Sequence, residues 1–523
     1  MASEQPLQLR LKPSRRQLVA MISVLVLLAI GYYIWTWSPI LAHRGGDNAY
    51  YLLTAQYYSP YSDPTPAAGY FAKHNQYPPV YPMVLALFGG GETILAAHLI
   101  TTTFLLLALV VFLFWLRLEG VSYWLALMLV LVFALLPGTY MQALAVLSEY
   151  LYLLLSLLAI MCVTYAEKVK NEQWLWGAMV FVASASMTRS AGITLIAAFC
   201  IYLFVNKHDR KWWMSVAATM PYVLWQFLKE NKSGGYIDSI AKTYASSPLQ
   251  TLLGQVTQES QALWNGWMGN FNLVVDLEIA VSLIGVFCLA GFAYRLYLKK
   301  FDAIYLLAYI VLILIWPFPA EARRFIFVVL PLFLFYGVNV IAQLRSMKGG
   351  GGYVRMFSLL YCFAIGIILT PDLLFSINRF TDPLALRIGY YRHQLDWYVP
   401  DKNNAVRNVM FNSYLFDDMR NLGRVVSDDE CVYSIKPSVV GLLSGRVSKG
   451  YPPDTLEQDG FMKALEKNKC SYFYMANFNS PSYPQQFYPL QRMQDQLKIV
   501  REQHLRVGDG NVMVAILGRL KQN

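Results

Sequence analysis

Long apolar runs alternate with short polar ones along most of this chain. Eleven runs are long enough to cross a bilayer as helices: approximately 17–37, 92–116, 122–139, 142–166, 173–189, 191–206, 211–229, 273–297, 303–318, 324–344 and 353–371. The stretch 173–206 also admits one kinked helix. Its 34 residues would rise about 50 Å, more than a bilayer needs, so the pattern predicts two. The first run has no small-residue cleavage pattern and carries Tyr32, Tyr33, Trp35 and Trp37 near its end. It reads as a retained anchor with interfacial aromatics, and no cleavable signal peptide is evident.

The polar connections test this count. Arg10, Lys12, Arg15 and Arg16 precede the first run. With that end inside, the short inner loops carry Arg117; Lys168 and Lys170; Lys207, Arg210 and Lys211; Lys299 and Lys300; and Arg345, Lys348 and Arg355. The clear basic clusters of the short loops then share one side, and the long segments 38–91, 230–272 and 372–523 fall outside. Composition agrees: 56% of the 523 residues are hydrophobic, only 14% are charged, and mean hydropathy is +0.38, which no ordinary soluble domain shows. The formal charge of +11 is accounted for by orientation, so nucleic acid is not expected as a partner. The expected location is a bacterial inner (cytoplasmic) membrane, multi-pass, with a cytoplasmic N-terminus.

Two basic sets break the orientation rule. Arg189 ends the fifth run on the outer side, and Arg323 and Arg324, in "PFPAEARRF", open the tenth there. Positive charge at an outer boundary calls for a local partner or a function. A lipid phosphate is one; a salt bridge to Glu321 or Glu149 is the other. Glu149 stands near the outer end of the fourth run, where it either snorkels to headgroups or lines an outward-facing cavity. In the first outer loop, "DNAYYLLTAQYY" suits a short helix along the interface, with apolar positions 49, 52, 53 and 57 and Asp47 at its N-cap. Pro78, Pro79 and Pro82 make "YPPVYPMVLALF" a rigid elbow. Tyr77 and Tyr81 in it either anchor the elbow or stack on a sugar. Lys73 and His74 precede it. Gly234 and Gly235 suggest a mobile turn in the second long outer segment, which Trp264 and Trp267 anchor to the interface or border as a lipid groove.

The part after 371 is polar. It shows three strand-like runs, 430–437, 470–477 and 510–519, and a helical run, 454–468. That order predicts a small α/β domain. "SGRVSKG" (444–450) is too weak to be a phosphate loop. Cys431 and Cys470 lie here and would pair in an oxidising compartment, although spacing alone does not decide it. Cys162, Cys200, Cys288 and Cys362 fall in apolar runs as buried thiols. The expected division is 1–371, a transmembrane part carrying the outer loops 38–91 and 230–272, and 372–523, a periplasmic α/β domain.

The ordered set "GDNAYYLLTAQYY", "YPPVYPMVLALF", "AVLSEYLYLLLSLLA", "SMTRSAG" and "PAEARRFIFVVLPLFLF" resembles the GT-C superfamily of integral-membrane glycosyltransferases. More narrowly, it is similar to bacterial relatives of the protein O-mannosyltransferases and of the aminoarabinose lipid A transferases. The resemblance covers about 17–371. It implies a polytopic helical fold and transfer of a sugar from a polyprenyl-phosphate donor to a glycan, lipid or protein acceptor at the outer face. It sets Asp47 and Glu149 as catalytic carboxylates. Arg323, Arg324, Arg189 and Lys73 would face the donor phosphate, and His74, Tyr77, Tyr81 and Glu321 the acceptor or sugar. Family members usually carry an acidic pair in the first outer loop. Here Asp47 stands alone between Gly46 and Asn48, so a divalent cation (Mg or Mn) lacks its usual motif and no cofactor is assigned. Attack opposite the leaving phosphate would invert the anomeric centre. The competing readings are a lipid-linked glycan ligase or polymerase, and a polyprenyl-phosphate lipid transporter.

Overall fold

The computed structural model describes residues 13–41, 45–74, 77–229, 248–271, 274–275, 277–316, 318–346, 351–383, 389, 401–452, 456–477, 486–493, 495–507 and 510–521. Gly234 and Gly235 lie outside these residues, as do Arg10, Lys12 and Lys348. Along the chain run helices α1 (Arg15–Thr36), α2 (Gly46–Tyr58), α3 (Pro66–Lys73), α4 (Val80–Leu87), α5 (Ile94–Leu118), α6 (Tyr123–Leu135), α7 (Pro137–Gln142), α8 (Glu149–Val169), α9 (Gln173–Ser186), α10 (Ile193–Val205) and α11 (Lys211–Leu228). They are followed by α12 (Pro248–Phe271), α13 (Glu278–Tyr297), α14 (Phe301–Leu314), α15 (Ala322–Ser346) and α16 (Gly351–Thr381).

Each of the eleven apolar runs falls on a helix. Among the described residues, six helices are long and apolar enough to cross a membrane by length and composition, and three shorter ones, within 123–135, 190–205 and 301–314, are also apolar. The stretch 173–206 is two helices, α9 and α10, parted by a 3-10 turn at Ser190–Gly192. The chain divides into two compact units. One comprises Met1–Trp37, Gln76–Tyr81 and His98–Asn378; the other comprises Ser38–Asn75, Pro82–Ala97 and Arg379–Asn523. The contacts thus group most of the first outer loop with the C-terminal part.

In the first unit many large apolar residues of the helices face outward. Leu18, Ile22, Leu27 and Ile34 of α1, Trp213 and Phe227 of α11, and Ile279 and Leu283 of α13 are exposed. Such a surface needs lipid around it. Inside, tyrosines fill the gaps, several with their hydroxyls paired, as where Tyr152 meets Tyr305 at 3.0 Å.

At the helix ends that carry Arg117, Lys168 and Lys300, a buried ionic network joins five helices. Arg295 Nη1 reaches Glu119 at 2.9 Å and its Nη2 reaches Asp302 at 2.6 Å. The Tyr336 hydroxyl donates to Asp302 at 2.9 Å. Beside it Lys300 pairs with Glu167 at 2.5 Å, which also accepts from Tyr202 at 2.9 Å. Charges this deep hold only while every partner stays in place.

The second unit is α/β at its C-terminal end. It holds α2, α3, α17 (Lys402–Asn421), β1 (Cys431–Ser434), α18 (Pro437–Ser444), β2 (Val447–Gly450), α19 (Gln458–Asn468), β3 (Tyr472–Ala476), α20 (Tyr488–Arg492), β4 (Leu497–Val507) and β5 (Gly510–Leu520). The sheet order is β2-β1-β3-β5-β4. β2, β1 and β3 are parallel, through α18 and α19; β3 runs antiparallel to β5, and β5 forms a hairpin with β4. All five residues of β3 are buried, which suits a central strand. Tyr433, Phe461, Phe473, Met475 and Ile516 form the core beneath it. Cys431 and Cys470 are disulfide-bonded, tying the start of β1 to the entry of β3.

Removing the hub of the ionic network strands two buried carboxylates. Arg295→Met is expected to lower stability by about 3–5 kcal/mol. Lys300→Ala, which removes a part-exposed ammonium from the part-exposed Glu167, is expected to cost about 1 kcal/mol or less. Thermal unfolding of both purified variants in detergent checks the contrast.

Candidate active site

Three segments far apart in sequence bring charge to one place in the first unit. Glu149 is the first residue of α8, and both it and Ser148 have no exposed surface. A carboxylate there meets the positive end of the helix dipole. Arg189 follows α9, where the chain turns extended (φ −150°, ψ 138°) before the 3-10 turn. That break directs the guanidinium onto Glu149, with Nη1 to Oε1 at 2.7 Å. Phe325 lies 5.2 Å from the same guanidinium. Arg324 stands in the first turn of α15, where a cation opposes the dipole. It is compensated twice: its Nε donates to Glu149 Oε1, and its Nη1 to Glu321 Oε2 at 3.1 Å.

The salt-bridge alternative for the outer arginines is therefore the arrangement found, and it includes Glu321. The cluster is not saturated. Both arginines share Oε1, while Glu149 Oε2 is buried with no hydrogen-bond partner among the described residues. The Tyr309 hydroxyl is also buried without one, within electrostatic reach of Arg189, Glu149 and Arg324. Two guanidiniums held beside one buried carboxylate concentrate positive charge, which attracts an anionic group.

The proline elbow is fastened to the same region. The Val80 amide donates to the Met187 carbonyl at 3.0 Å. Tyr81 is fully buried and its hydroxyl pairs with Thr101 at 2.8 Å; Tyr77 is buried as well. Of the two readings of these tyrosines, Tyr81 serves as an anchor.

A polar stripe on α12 went unnoticed in the sequence. Gln255, Glu259 and Asn270 are buried and recur on one helix face with Ala262 and Gly266. That periodicity is visible in "GQVTQESQALWNGWMGN" once the segment is read as a helix. Gly266 crosses the start of α15 so closely that a Cβ would lie 2.9 Å from the Arg323 amide. Asn270 Nδ2 donates to the Arg323 carbonyl at 3.0 Å. Gln255 Nε2 donates to the Trp316 carbonyl at 2.6 Å and to Glu259 Oε1 at 3.2 Å. The other oxygen of Glu259 has no hydrogen-bond partner among the described residues. Burial pushes this carboxyl up to about 7.

The opposite edge of α12 borders an apolar groove of about 370 Å³ between α12, α13, α14 and α15. Trp264, Trp267, Val286, Ile313, Ile326 and Phe333 are among its walls. The groove and the charge cluster both draw on α15, through Ile326 and Arg324. Trp264 and Trp267 thus border a groove, the second of the two readings given to them.

Asp47, Lys73 and His74 belong to the other unit. Asp47 is not the N-cap of α2. Gly45 takes that place without a side-chain bond, and Asp47 stands half-buried within the first turn. Glycine also fits an N-cap, and a carboxylate one turn in still complements the dipole. Nor does α2 lie as a surface helix. Asn48, Ala49 and Tyr51 to Ala55 are buried, because α3 and α18 pack on it. Lys73 is exposed in the last turn of α3, and His74 caps that helix, its Nδ1 2.8 Å from the Tyr70 carbonyl. Among the described residues no three His, Cys, Asp or Glu side chains gather as a metal-holding group.

The chain is similar in structure to ArnT from Cupriavidus metallidurans bound to undecaprenyl phosphate. The TM-score is 0.55 at 11% identity, over 97% of this chain and 98% of that one. The apo state of the same ArnT gives 0.51 at 10% identity, over 96% and 97%. The fold is that of ArnT, a GT-C membrane fold. No protein-family model and no curated protein matches the sequence. The GT-C resemblance is thus carried by the fold across both units, beyond the transmembrane part where the sequence motifs lie.

A carboxyl held near 7 links stability to pH. The contribution of protonated Glu259 is fully present below the ordinary carboxylate value of 4.5 and is lost as pH rises through about 7. Thermal unfolding between pH 5 and pH 8 is expected to show a fall in Tm (roughly 2–4 °C per kcal/mol lost) that Glu259→Gln flattens.

Proposed function

We propose that the protein is an inverting glycosyltransferase that takes a sugar from a polyprenyl-phosphate donor and places it on a glycan, lipid or protein acceptor. The observation that carries this reading is the buried Glu149–Arg189–Arg324 charge cluster in a fold shared with an enzyme crystallised with undecaprenyl phosphate.

The chemistry needs three things: a base for the acceptor hydroxyl, charge stabilisation for the departing phosphate, and a seat for the lipid. Asp47 is the proposed base. A carboxylate of ordinary pKa is a weak base toward an alcohol, but the hydroxyl becomes acidic as its oxygen bonds to the anomeric carbon. The bond from that carbon to the phosphate oxygen breaks on the opposite face, and the configuration inverts. Arg324 and Arg189 would take the negative charge that grows on the leaving phosphate, with Arg323 and Lys73 as further candidates. Glu149 holds the two guanidiniums in place meanwhile, so little reorganisation is needed as the charge appears. His74, Tyr77 and Glu321 remain candidates for acceptor or sugar contact. No step is assigned to a divalent cation.

The apolar groove of the same unit would receive the polyprenyl chain. The proposed setting is a bacterial inner membrane with the N-terminus cytoplasmic and the C-terminal domain periplasmic. The Cys431–Cys470 disulfide supports that side, since such bonds persist in oxidising compartments.

Transfer in nanodiscs, with a panel of polyprenyl-phosphate sugars and extracted envelope lipids and glycans, tests the reading. Asp47→Asn is expected to lower turnover by about 10²–10⁴ while the protein stays folded. Arg324→Ala is expected to weaken donor binding by roughly tenfold or more. Wild-type turnover in D47N would remove Asp47 as base, and unchanged donor affinity in R324A would remove the phosphate clamp. Polyprenyl-phosphate binding with no transfer to any acceptor would favour a transporter.

The groove has its own test. Val286→Trp fills its wall. It is expected to weaken a long-chain donor by about tenfold and leave a short-chain analogue unaffected, since each buried methylene contributes about 0.8 kcal/mol. Equal effects on the two donors would place the chain elsewhere.

A further inference from the structure

We infer that helix α18 of the C-terminal α/β domain is the template that sets the orientation of Asp47, with Ser438 as the positioning residue. This rests on the reading of Asp47 as the base. The Ser438 hydroxyl donates to the Gly46 carbonyl at 2.9 Å, across nearly the whole chain in sequence. That carbonyl belongs to the planar peptide whose nitrogen is Asp47's own, so the bond fixes the plane from which the Asp47 side chain departs. Ser438 is buried, at 8% exposure, and a Cβ on Gly46 would come within 3.2 Å of its hydroxyl oxygen. The fit leaves no room for a side chain at Gly46 without moving one partner.

The contact is built in depth. Leu442 of α18 packs on Leu53 of α2 and on the α3 residues around Phe71, and the Gly445 carbonyl accepts from the Ala67 amide at 3.3 Å. On its other side α18 starts three residues after β1, which is hydrogen-bonded to strands on both edges. A run of rigid contacts therefore leads from the sheet through α18 to one peptide plane beside Asp47. Gly45 supplies no side-chain cap to α2; Ser438 donates to a carbonyl and so is not a cap, but it ties the first turn to α18 from outside. A helical first turn held only by its own bonds frays, whereas a base must be fixed to within a fraction of an ångström.

The test uses the full-length protein in nanodiscs and two readouts. Ser438→Ala is expected to lower kcat about tenfold with donor KM unchanged, and to raise amide exchange in residues 46–50 while the sheet keeps its protection. Ser438→Thr, which keeps the hydroxyl, is expected to restore both. Gly46→Ala should reproduce the loss, and its effect should not add to that of S438A. Unchanged exchange in S438A overturns the template, whatever the activity. Raised exchange with wild-type kcat overturns the positioning role. An equal rise in donor KM marks a general loosening and overturns it too. Full turnover in D47N would bring down the catalytic reading itself, and the exchange data would still decide separately whether α18 holds α2.

Discussion

A carboxylate with no exposed surface among apolar helices is the constraint around which the first unit is arranged. Glu149 has to be compensated where water cannot reach it, and two guanidiniums do so. Each needs a countercharge: Arg324 sits at the wrong end of a helix dipole, and Arg189 is buried, where the ring of Phe325 offers attraction but no opposite charge. The requirement explains local features that otherwise look arbitrary. α9 stops after Ser186 and the chain turns extended at Arg189, because a continued helix would carry that guanidinium past its partner. The break between α9 and α10 is thus part of the charge arrangement.

Two buried ionic groups of the same unit differ in one respect that separates structure from function. Around Arg295 the accounting closes: Glu119 and Asp302 each use both oxygens, and Tyr336 completes the set. Around Glu149 it does not, since Oε2 and the nearby Tyr309 hydroxyl have no hydrogen-bond partner among the described residues. Burying unmet polar groups costs about 1–3 kcal/mol each. A saturated network returns its cost as rigidity; an open one makes sense if a polar ligand completes it. That contrast sets the second cluster apart from the first, although both have a buried centre and both contain arginine.

Much of the helical frame was legible because lipid demands continuous apolar surface, and each of the eleven runs became a helix. Arg189, Arg324 and Glu149 were legible for the same reason, as charges placed where the bilayer boundary penalises them. What escaped shows where such signals fail. β4, "LKIVREQHLRV", is an edge strand with polar residues on its open side, and β2 is only four residues long, so neither has the apolar run by which β3 was found. The α12 stripe of Gln255, Glu259 and Asn270 is diluted by the polar face that an outer segment is expected to have. α2 looked interfacial because its apolar residues are spread around it; they are spread because α3 and α18 cover different faces. That second cover comes from residues nearly four hundred positions away, which no local pattern reports.

The likeness to ArnT at 11% identity asks what such a fold conserves. Apolar helices in lipid tolerate almost any aliphatic exchange, because their outward faces pack against chains and not against shaped protein. Identity is therefore lost quickly while helix order persists, and the fold alone says little about the sugar moved or its acceptor. The informative positions are those where lipid would forbid a residue that is nevertheless present. Glu149 is the clearest, since its burial costs stability that leucine would not. It stands at the end of a helix, beside two arginines, in a unit that also holds an apolar groove. A phosphate attached to a long hydrocarbon meets each of those features: the arginines suit its charge and the groove suits its chain. A soluble phosphate ester would use only the first, and an uncharged lipid only the second.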